Sequence, residues 1–565
     1  MLHHAGSTYP VIVDFEAGLG EDAVMSLSGF RSIALLLFLM GLFHIEAATR
    51  PNIIYFMADD LGVGDVKCFG GERCQIETPN FDRLASEGMR FTDAHAVASV
   101  CVPSRMAIMT GRYPWRFGPP KAGGPWGFLG LRFPPQTFTL GDLMKQAGYS
   151  TGYVGKWHLG TTMTTTDGQV QGLKNVDYGK ALKTGPADYG FDYSFVLPGS
   201  LDMYPYAFIR DNQFVGSVTK QRGWSAFNRI GPTEDTFEDF EVLDTFSSEV
   251  ESYIDRKANA AKEGDPFFLY FALTAPHTPT SPHPKWKGKS ALGQYGDFVM
   301  EVDDCLGRAM RALEKHGLSE NTLIIATSDH GAASYAGNIE KATFAQYKSM
   351  QALGHYSSGI YRGFKFSVYE GGRRVPFIAR WPGMIRPGSV CEELIGLQDV
   401  FATLAEVSGQ SLEPNQGVDS LSLEPLFRDG QSNRGRSTMI QSSVRSWAVR
   451  EGKWKLCLCP GSGCPGNYGN LPPQDVAYRA ALAEFGRIPA RGDLVRAPFV
   501  QLFNLANDPT ESVNLASRYP ERVRAMIRVF DEQIASGRSN PGPRQNNDRE
   551  GLNHLAGVPK FVLEE

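Results

Sequence analysis

Short apolar segments that end abruptly in polar or charged residues recur along the chain. They are Asn52–Met57, Thr151–Val154, Pro266–Leu273, Thr322–Ala326 and Val375–Ala379. Continuous apolar runs of this length, rich in β-branched and aromatic residues, are typical of strands that are buried on both faces. We therefore predict that these segments are buried strands of a central sheet.

Segments with helix start and stop signals lie between the predicted strands. Thr78–Gly88 begins with a Thr cap and a Pro at the first helical position, and it ends in Gly. Thr139–Gly148 and Phe298–Gly317 have the same form. Because strands and helices alternate, we predict an α/β fold with a large, mostly parallel sheet flanked by helices. In such sheets, functional residues collect at the carboxyl ends of the strands.

The pattern changes after about residue 430. Ser437–Leu458 alternates between apolar and polar residues, and Gln501–Leu505 is a further short apolar segment. Glu521–Ile534 has the spacing of an amphipathic helix. We predict that residues 431–538 form a smaller C-terminal α+β subdomain, in which a helix covers an antiparallel sheet.

The predicted elements and the local composition assign two further parts of the chain, a larger domain and a tail. Residues 49–430 are predicted to form the larger domain, which carries the candidate chemistry described below. Residues 539–565 are predicted to be a flexible tail, because their first part is rich in Pro, Gly, Asn and charged residues.

One segment near the start is typical of a targeting signal. Ile33–Phe43 is an apolar run too short to cross a hydrocarbon core of about 30 Å. Arg31 precedes it and a pair of alanines follows it, as in a secretory signal peptide. We expect residues 25–48 to be a signal peptide, the mature protein to be exported, and no membrane anchor to remain after cleavage. The alternative is a buried core helix. Residues 1–24 are acidic, so we expect translation to start at Met25 and this stretch to be a mis-called extension.

Composition excludes several classes of protein. Lys and Arg number 56 and Asp and Glu 61, so the net charge is −5, and the chain lacks the basic field of a nucleic-acid-binding protein. Hydrophobic residues make up 42%, which excludes a disordered chain. No repeat of solenoid or propeller length is visible.

The eight cysteines are interpreted in the light of export. In an oxidising compartment some of them could pair. The local candidates are Cys68 with Cys74, and two of the cluster Cys457, Cys459 and Cys464. The spacing of that cluster does not match a zinc ribbon, so disulfides or free thiols are favoured over a metal site.

Acidic residues follow two of the predicted strands. Asp59 and Asp60 follow the first apolar segment, and Asp329 with His330 follows Thr322–Ala326. Adjacent carboxylates repel each other unless a cation neutralises them, and their hard oxygens suit Ca²⁺ or Mg²⁺. The sequence therefore predicts a divalent-metal site, although a solvated Asp pair that caps a helix is the simpler alternative.

A cysteine stands at the start of another predicted helix. Pro103 lies in its first turn, so the helix is expected to start near Cys101. A helix N-terminus attracts anions, and Arg105 adds a bidentate donor for an oxyanion. Cys101 is therefore a candidate nucleophile, although its soft sulfur is an unusual partner for a hard cation. The alternatives are a buried core residue or half of a disulfide.

The segment Cys101–Arg105, followed by Thr110-Gly111-Arg112, resembles the maturation signature of type I sulfatases, which are formylglycine-dependent members of the alkaline-phosphatase superfamily. Arg50–Asp60, Gly155–Gly160 and Glu370–Pro376 also resemble that family, in the same order, so the resemblance covers about residues 50–530. It implies that a formylglycine-generating enzyme oxidises the cysteine to an aldehyde. The aldehyde hydrate would offer oxygen rather than sulfur to the metal, which removes the mismatch.

The resemblance also implies a mechanism. One hydroxyl of the formylglycine hydrate attacks the sulfate sulfur and the alcohol leaves; the other hydroxyl then helps to expel sulfate. A single calcium ion would support this chemistry, and Ser200 would help the hydrate to form. The calcium ligands implied by the resemblance are Asp59, Asp60, Cys101, Asp329 and His330.

Further catalytic roles are carried over position by position. Arg105 would hold the hydrate. Lys156 and His158 would bind the sulfate and stabilise the hydrate. His277 would be a general acid or a sulfate ligand, and Lys365 would be the second sulfate-binding lysine. Such a cradle of charge suits a sulfate ester, whose oxygens carry the negative charge of the transition state.

We therefore expect an exported sulfatase that hydrolyses sulfate monoesters, with a sulfated carbohydrate or an aryl sulfate as its substrate. Leu197–Tyr206 and the aromatic stretch Trp115–Phe133 are expected to line the mouth of its pocket. Two alternatives stay open at this point. One is a phosphonate or phosphodiester hydrolase of the same superfamily, although a single metal favours sulfate. The other is a sulfated-glycan-binding protein whose cysteine is not matured.

Overall fold

The computed structural model describes residues 50–118, 130–134, 136–223, 229–336, 345–430, 435–443, 446–459, 461–463 and 500–555. The predicted extension and signal peptide therefore lie outside the described residues, as does most of the aromatic stretch after residue 118. The described residues from Arg50 onward belong to one compact unit. Within them, no helix has the length and apolar character needed to cross a membrane.

The strands fall into one large sheet and three smaller ones. In chain order they are β1 (Asn52–Asp59), β2 (Met89–Phe91), β3 (Ala94–His95), β4 (Ser150–Lys156), β5 (Tyr193–Leu197), β6 (Ile209–Arg210), β7 (Gln213–Phe214), β8 (Lys220–Arg222), β9 (Gly231–Thr233), β10 (Phe267–Pro276), β11 (Thr322–Ser328), β12 (Phe377–Arg380), β13 (Ser389–Cys391), β14 (Ile395–Gly396), β15 (Thr438–Ser442), β16 (Trp447–Glu451), β17 (Trp454–Leu458) and β18 (Val500–Asn504).

The helices of the described chain are listed in the same way. They are α1 (Lys67–Gly70), α2 (Pro79–Glu87), α3 (Cys101–Thr110), α4 (Leu140–Gln146), α5 (Val242–Lys262), α6 (Gln294–Lys315), α7 (Ala345–Ala352), α8 (Asp399–Val407), α9 (Glu424–Asp429) and α10 (Pro520–Ser536).

The large sheet has the strand order β13-β2-β12-β11-β1-β10-β4-β5-β6-β7. Its central strands, from β11 to β5, are parallel. The outer strands are joined by antiparallel pairs, except that β13 pairs with β2 in parallel. All five predicted strands are present in it, and the predicted α/β class is confirmed. All eight residues of β1 are buried, as expected for a strand covered on both faces.

The helix boundaries follow from their caps. α2 and α4 begin one residue after the predicted Thr caps, and Thr139 forms a capping box with Asp142. α6 begins four residues before the predicted start, at Gln294, after Gly293. α5 and α6 pack on each other and on β10, while α3 packs on α4 and α8. These helices flank the sheet.

The C-terminal subdomain is an antiparallel sheet in the order β15-β16-β17-β18, with α10 packed on it. Its apolar core is continuous with residues of the larger domain, including Ala107 of α3 and Trp115. The prediction that Trp115 lies at the mouth of a pocket is wrong. It is buried, with its ring 5.8 Å from Phe530 of α10 and 6.2 Å from Trp447, because a large apolar ring gains more from a dry core than from a wet rim.

Part of the predicted flexible tail has fixed partners. Asn540 Nδ2 donates to Gly417 O at 2.9 Å, and Asn547 Nδ2 donates to Ile534 O at 2.8 Å. The polar residues that suggested flexibility thus satisfy backbone carbonyls of the folded unit. Residues 556–565 lie outside the described residues.

Cys68 and Cys74 are free thiols, so this predicted local pair is not formed. Burial raises the pKa of both thiols to about 12, which disfavours the thiolate needed for disulfide exchange. Cys457 is a free thiol as well, so no pair that includes it is formed. Cys464 lies outside the described residues, so a pair of Cys459 with Cys464 stays a prediction.

Candidate active site

Charged side chains meet at the carboxyl ends of neighbouring strands. Asp59 is the last residue of β1, and Asp60 follows it with a φ of +67°. Lys156 ends β4, and His277 and Asp329 directly follow β10 and β11. Because these four strands are adjacent and parallel, their ends lie at one edge of the sheet.

A glycine fixes the approach of β4 to this edge. Gly155 has a φ of +120°, and a Cβ at this position would lie 1.7 Å from Ala272 O of β10. No other residue could adopt this backbone without moving the strands apart. Lys156 therefore enters the site from a backbone position that the glycine before it makes possible.

Helix α3 begins at Cys101, as predicted from Pro103, and it presents the cysteine to the same edge. Cys101 Sγ lies 3.3 Å from His330 Nε2, and burial raises the pKa of the thiol. One turn later, Arg105 donates through Nε to Asp329 Oδ2 at 3.1 Å and through Nη1 to Lys156 O at 3.1 Å. The helix start and its arginine therefore connect the ends of β4 and β11.

Four of the five predicted metal ligands form a cluster. Asp59, Asp60, Cys101 and His330 each offer an atom within 4.8 Å of the others, and all four residues are buried. Asp329 is not a member of this cluster; its Oδ1 accepts a hydrogen bond from Asp60 N at 3.2 Å. Carboxylate oxygens and an imidazole nitrogen in this arrangement suit a divalent cation.

Cations of the chain itself contact the carboxylates. Lys156 Nζ donates to Asp59 Oδ2 at 2.5 Å, and Lys365 Nζ donates to both oxygens of Asp60, at 2.8 and 2.9 Å. All of these side chains are buried. Buried charges need such partners, since the cost of desolvating them singly is several kcal/mol.

The two adjacent carboxylates differ electrostatically. Burial would raise the pKa of Asp59, but the charge of Lys156, followed by those of Arg105 and Lys365, holds the pKa well below its usual range. Burial raises the pKa of Asp60, and repulsion from Asp59 adds to this although Lys365 opposes it. A further positive charge beside the pair would favour ionisation of both carboxyls.

Two of the three histidines of the site, His158 and His277, have pKa values below the usual range for histidine. Burial, followed by the charges of Lys156 and Arg105, lowers the pKa of His158 well below its ordinary value. Burial and the charge of Lys365 do the same for His277. His277 Nδ1 lies 2.6 Å from Thr278 O, so it donates there, and Nε2 is the nitrogen that faces Asp60 Oδ2, 3.8 Å away.

Ser200 and Asp202 lie shortly after β5, and Asp202 lies beside His277. Ser200 Oγ is buried and has no hydrogen-bond partner among the described residues. Asp202 Oδ2 accepts a hydrogen bond from Arg229 at 2.7 Å, and Oδ1 lies 3.9 Å from His277 Nδ1. Burial raises the pKa of Asp202.

Sequence reasoning did not assign Asp202 or Tyr335 to the site. Asp202 is a single charge within an apolar segment, which was the available signal. Tyr335 gave no signal; its ring lies 5.8 Å from Lys365 Nζ. The expected residues Asp59, Asp60, Cys101, Arg105, Lys156, His158, Ser200, His277, Asp329, His330 and Lys365 are all buried in the described structure.

Similarity to known proteins decides the family. The family model described as Sulfatase matches residues 51–410. The chain belongs to the sulfatase family. This sulfatase is 31% identical over 526 residues to an N-acetylgalactosamine-6-O-sulfatase of Bacteroides thetaiotaomicron, a match that covers 86% of this chain and 93% of the relative. It is 33% identical over 442 residues to the steryl-sulfatase of Rattus norvegicus, which covers 70% and 74% of the two chains.

A solved structure gives the same result for the fold. It was reported for the metabolism of multiple glycosaminoglycans by Bacteroides thetaiotaomicron, and it matches with a TM-score of 0.71 at 30% identity, covering 86% of this sulfatase and 99% of that chain. The predicted family and the predicted activity class are therefore confirmed: the protein is a sulfuric ester hydrolase.

Proposed function

We propose that this sulfatase is exported and hydrolyses sulfate monoesters of a carbohydrate, with a formylglycine made from Cys101 and one calcium ion. The observation that carries the proposal is the position of Cys101. It lies at the N-terminus of α3, 3.3 Å from His330 Nε2 and within a cluster that includes Asp59 and Asp60. An unmodified thiol with a raised pKa is a poor nucleophile, which favours oxidative maturation at this position.

The donor set fits a calcium ion. Asp59 Oδ1 is a buried acceptor that lacks a hydrogen bond among the described residues, and Asp60 is a second carboxylate beside it. Asp59, Asp60, Asp329 and His330 would hold the ion, together with an oxygen at position 101. The ion would supply positive charge that stabilises an oxyanion during sulfuryl transfer.

The remaining residues would bind the substrate or orient the nucleophile. Lys156 and Lys365 would bind the sulfate oxygens, because their ammonium groups are buried on either side of the carboxylate pair. His158 would bind the sulfate and Arg105 would hold residue 101 in place. Formylglycine would supply the attacking hydroxyl as its hydrate, and Ser200 would orient that hydrate through its unpaired Oγ.

His277 would act as the general acid that protonates the leaving alcohol. In its neutral form the proton is on Nδ1, which donates to Thr278 O, so Nε2 acts as an acceptor. An anionic substrate would favour a second proton on Nε2, and the doubly protonated imidazole would then protonate the departing alcohol oxygen.

Relatives support a carbohydrate substrate. The Bacteroides thetaiotaomicron relative is named for a sulfated N-acetylgalactosamine, as is a relative from Mus musculus at 32% identity over 411 residues. A panel of sulfated mono- and oligosaccharides, with aryl and steryl sulfates as comparisons, tests this part. Release of sulfate from no saccharide of the panel would contradict it.

The nucleophile is tested by the mass of the tryptic peptide Phe91–Arg105 from protein co-expressed with a formylglycine-generating enzyme. We expect an aldehyde in place of the Cys101 thiol, and loss of turnover in C101A. An intact thiol, while a known sulfatase is matured in the same cells, would contradict the mechanism. A signal-peptide fusion assay with residues 25–48 tests export separately.

A further inference from the structure

A second cluster of buried charges lies where the C-terminal sheet meets the loop that carries Lys365. We call it the Glu370 cluster, and its members are Glu370, Arg450, Lys455 and Glu511. Lys455 Nζ donates to Glu370 Oε1 at 2.9 Å and lies 3.0 Å from Glu511 Oε1. Arg450 Nη1 donates to Glu370 Oε2 at 3.1 Å. The side chains of Glu370, Lys455 and Glu511 are completely buried.

The cluster joins different parts of the chain. Arg450 belongs to β16 and Lys455 to β17 of the C-terminal sheet, whereas Glu370 lies five residues after Lys365. Glu511 follows β18 and accepts a hydrogen bond from Glu370 N at 2.7 Å through Oε2. Burial would raise the pKa of Glu370, but Lys455 and Arg450 hold it well below its usual range.

The loop Arg362–Gly371 connects the Glu370 cluster with Lys365 of the candidate active site. Its ends are joined because Gly371 N donates to Arg362 O at 2.7 Å, and the Arg362 guanidinium lies 3.8 Å from the Tyr369 ring centroid. Arg362 also donates to Glu511 O. Both ends of the loop are therefore attached to the Glu370 cluster, and Lys365 lies between them.

The middle of the loop, at Phe366, is hydrogen-bonded to the segment that precedes Cys101. Phe366 N donates to Ser99 O at 2.9 Å, and Phe366 O accepts a hydrogen bond from Ser443 Oγ. Ser442 of β15 in turn donates through its backbone N to Val97 O at 2.8 Å. The C-terminal sheet thus contacts both the segment before Cys101 and the residue after Lys365.

We propose that Lys455 is a positioning residue for Lys365: through Glu370 and Glu511, the C-terminal sheet sets where the Lys365 ammonium lies against Asp60. This inference rests on the proposed sulfate-binding role of Lys365. If Lys455 only stabilised the fold, its loss would not specifically impair sulfate binding by Lys365. Lys455, however, contacts both carboxylates that anchor the loop, Glu370 and Glu511.

The test compares K455M with K453M. Lys453 precedes it by two residues on the same hairpin, and its side chain is 57% exposed. Its Nζ lies 3.6 Å from Asp93 Oδ2, but it contacts neither Glu370 nor Glu511 among the described residues, so the same chemical change leaves the two carboxylates of the Glu370 cluster in place. We expect kcat/KM for an aryl sulfate to fall at least tenfold in K455M, and inhibition by inorganic sulfate to weaken. K453M should stay within twofold of the wild type. Folded K455M with activity within twofold of the wild type would overturn the proposal.

A double-mutant cycle separates positioning from general stability. If Lys455 acts through Lys365, K455M should change kcat/KM less than twofold in a K365A background. Effects that multiply would overturn the proposal. K365A alone tests the underlying assignment, because activity within threefold of the wild type would refute the role of Lys365 itself. Should K455M fail to fold, E511Q removes the charge of one of the two carboxylates that Lys455 contacts, and we expect at least a threefold fall in kcat/KM; a smaller change would overturn the proposal.

Discussion

Replacing Arg105 by lysine tests whether a planar guanidinium, rather than a positive charge alone, organises the active site. The side chain is 1% exposed. Its Nε donates to Asp329 Oδ2 at 3.1 Å, its Nη2 lies 3.5 Å from Asp59 Oδ1, and its Nη1 donates to Lys156 O at 3.1 Å. It therefore connects the ends of β1, β4 and β11, which a single ammonium group cannot do.

The contacts of Arg105 set the loss of unfolding free energy that we expect when it is replaced. A lysine keeps the charge but can replace only one of the two hydrogen bonds of Arg105. The other hydrogen bond involves a charged group and is worth about 1.5–3 kcal/mol, so we expect the free energy of unfolding to be lower by about that amount in R105K. R105M also leaves Asp59 and Asp329 with less compensation, so we expect a loss of about 3–5 kcal/mol.

Urea unfolding followed by tryptophan fluorescence measures the effect. The measurement is made in EGTA on protein with an unmodified Cys101, because a bound cation would itself compensate the carboxylates. R311K is the control, since Arg311 pairs with Asp304 at 2.9 Å but is 53% exposed, and its loss should cost less than about 0.5 kcal/mol. A decrease below about 1 kcal/mol in R105K would refute the reasoning.

Other predictions concern the metal, pH and a buried ion pair within the larger domain. Chelation by EGTA should abolish activity and added Ca²⁺ should restore it, while D60N should need at least tenfold more Ca²⁺; calcium-independent turnover would contradict this. Burial raises the pKa of Glu301 from 4.5 to about 8, so the folded state binds more protons and stability should fall as pH rises between those values. E301Q should remove this fall; an unchanged pH profile of the unfolding midpoint would contradict it. Arg116 donates to both oxygens of buried Asp419, at 2.6 and 2.8 Å. R116M should therefore lose about 3–5 kcal/mol of unfolding free energy, measured by urea denaturation. A loss below about 1 kcal/mol would contradict the reasoning.

The order of elements and much of the candidate site could be predicted from the sequence. Apolar runs located the strands, and Pro103 located the start of α3 at Cys101. The rule that functional residues follow parallel strands then placed Asp59, Lys156 and Asp329 at one edge. These signals are local, because strand and helix periodicity and capping depend on residues a few positions apart.

The pairings within the site were decided by the tertiary structure. Lys365 contacts Asp60 across 305 positions of sequence, and no local pattern specifies which carboxylate it meets. Trp115 was misplaced for the same reason, since an aromatic run suits a pocket and a core equally. Asp202 was missed because its meaning depends on Arg229 and His277, which the fold brings beside it.

The sequence by itself determined the family of chemistry, because the candidate nucleophile Cys101, its helix start and the acidic strand ends are short contiguous patterns. Only the tertiary structure decided how the C-terminal sheet contacts the loop that carries Lys365. Lys455 and Glu370 are 85 positions apart, and their contact depends on the packing of one sheet against a loop of another. Sequence periodicity fixes which face of an element is apolar, whereas the contacts of buried charges depend on the final positions of all their neighbours.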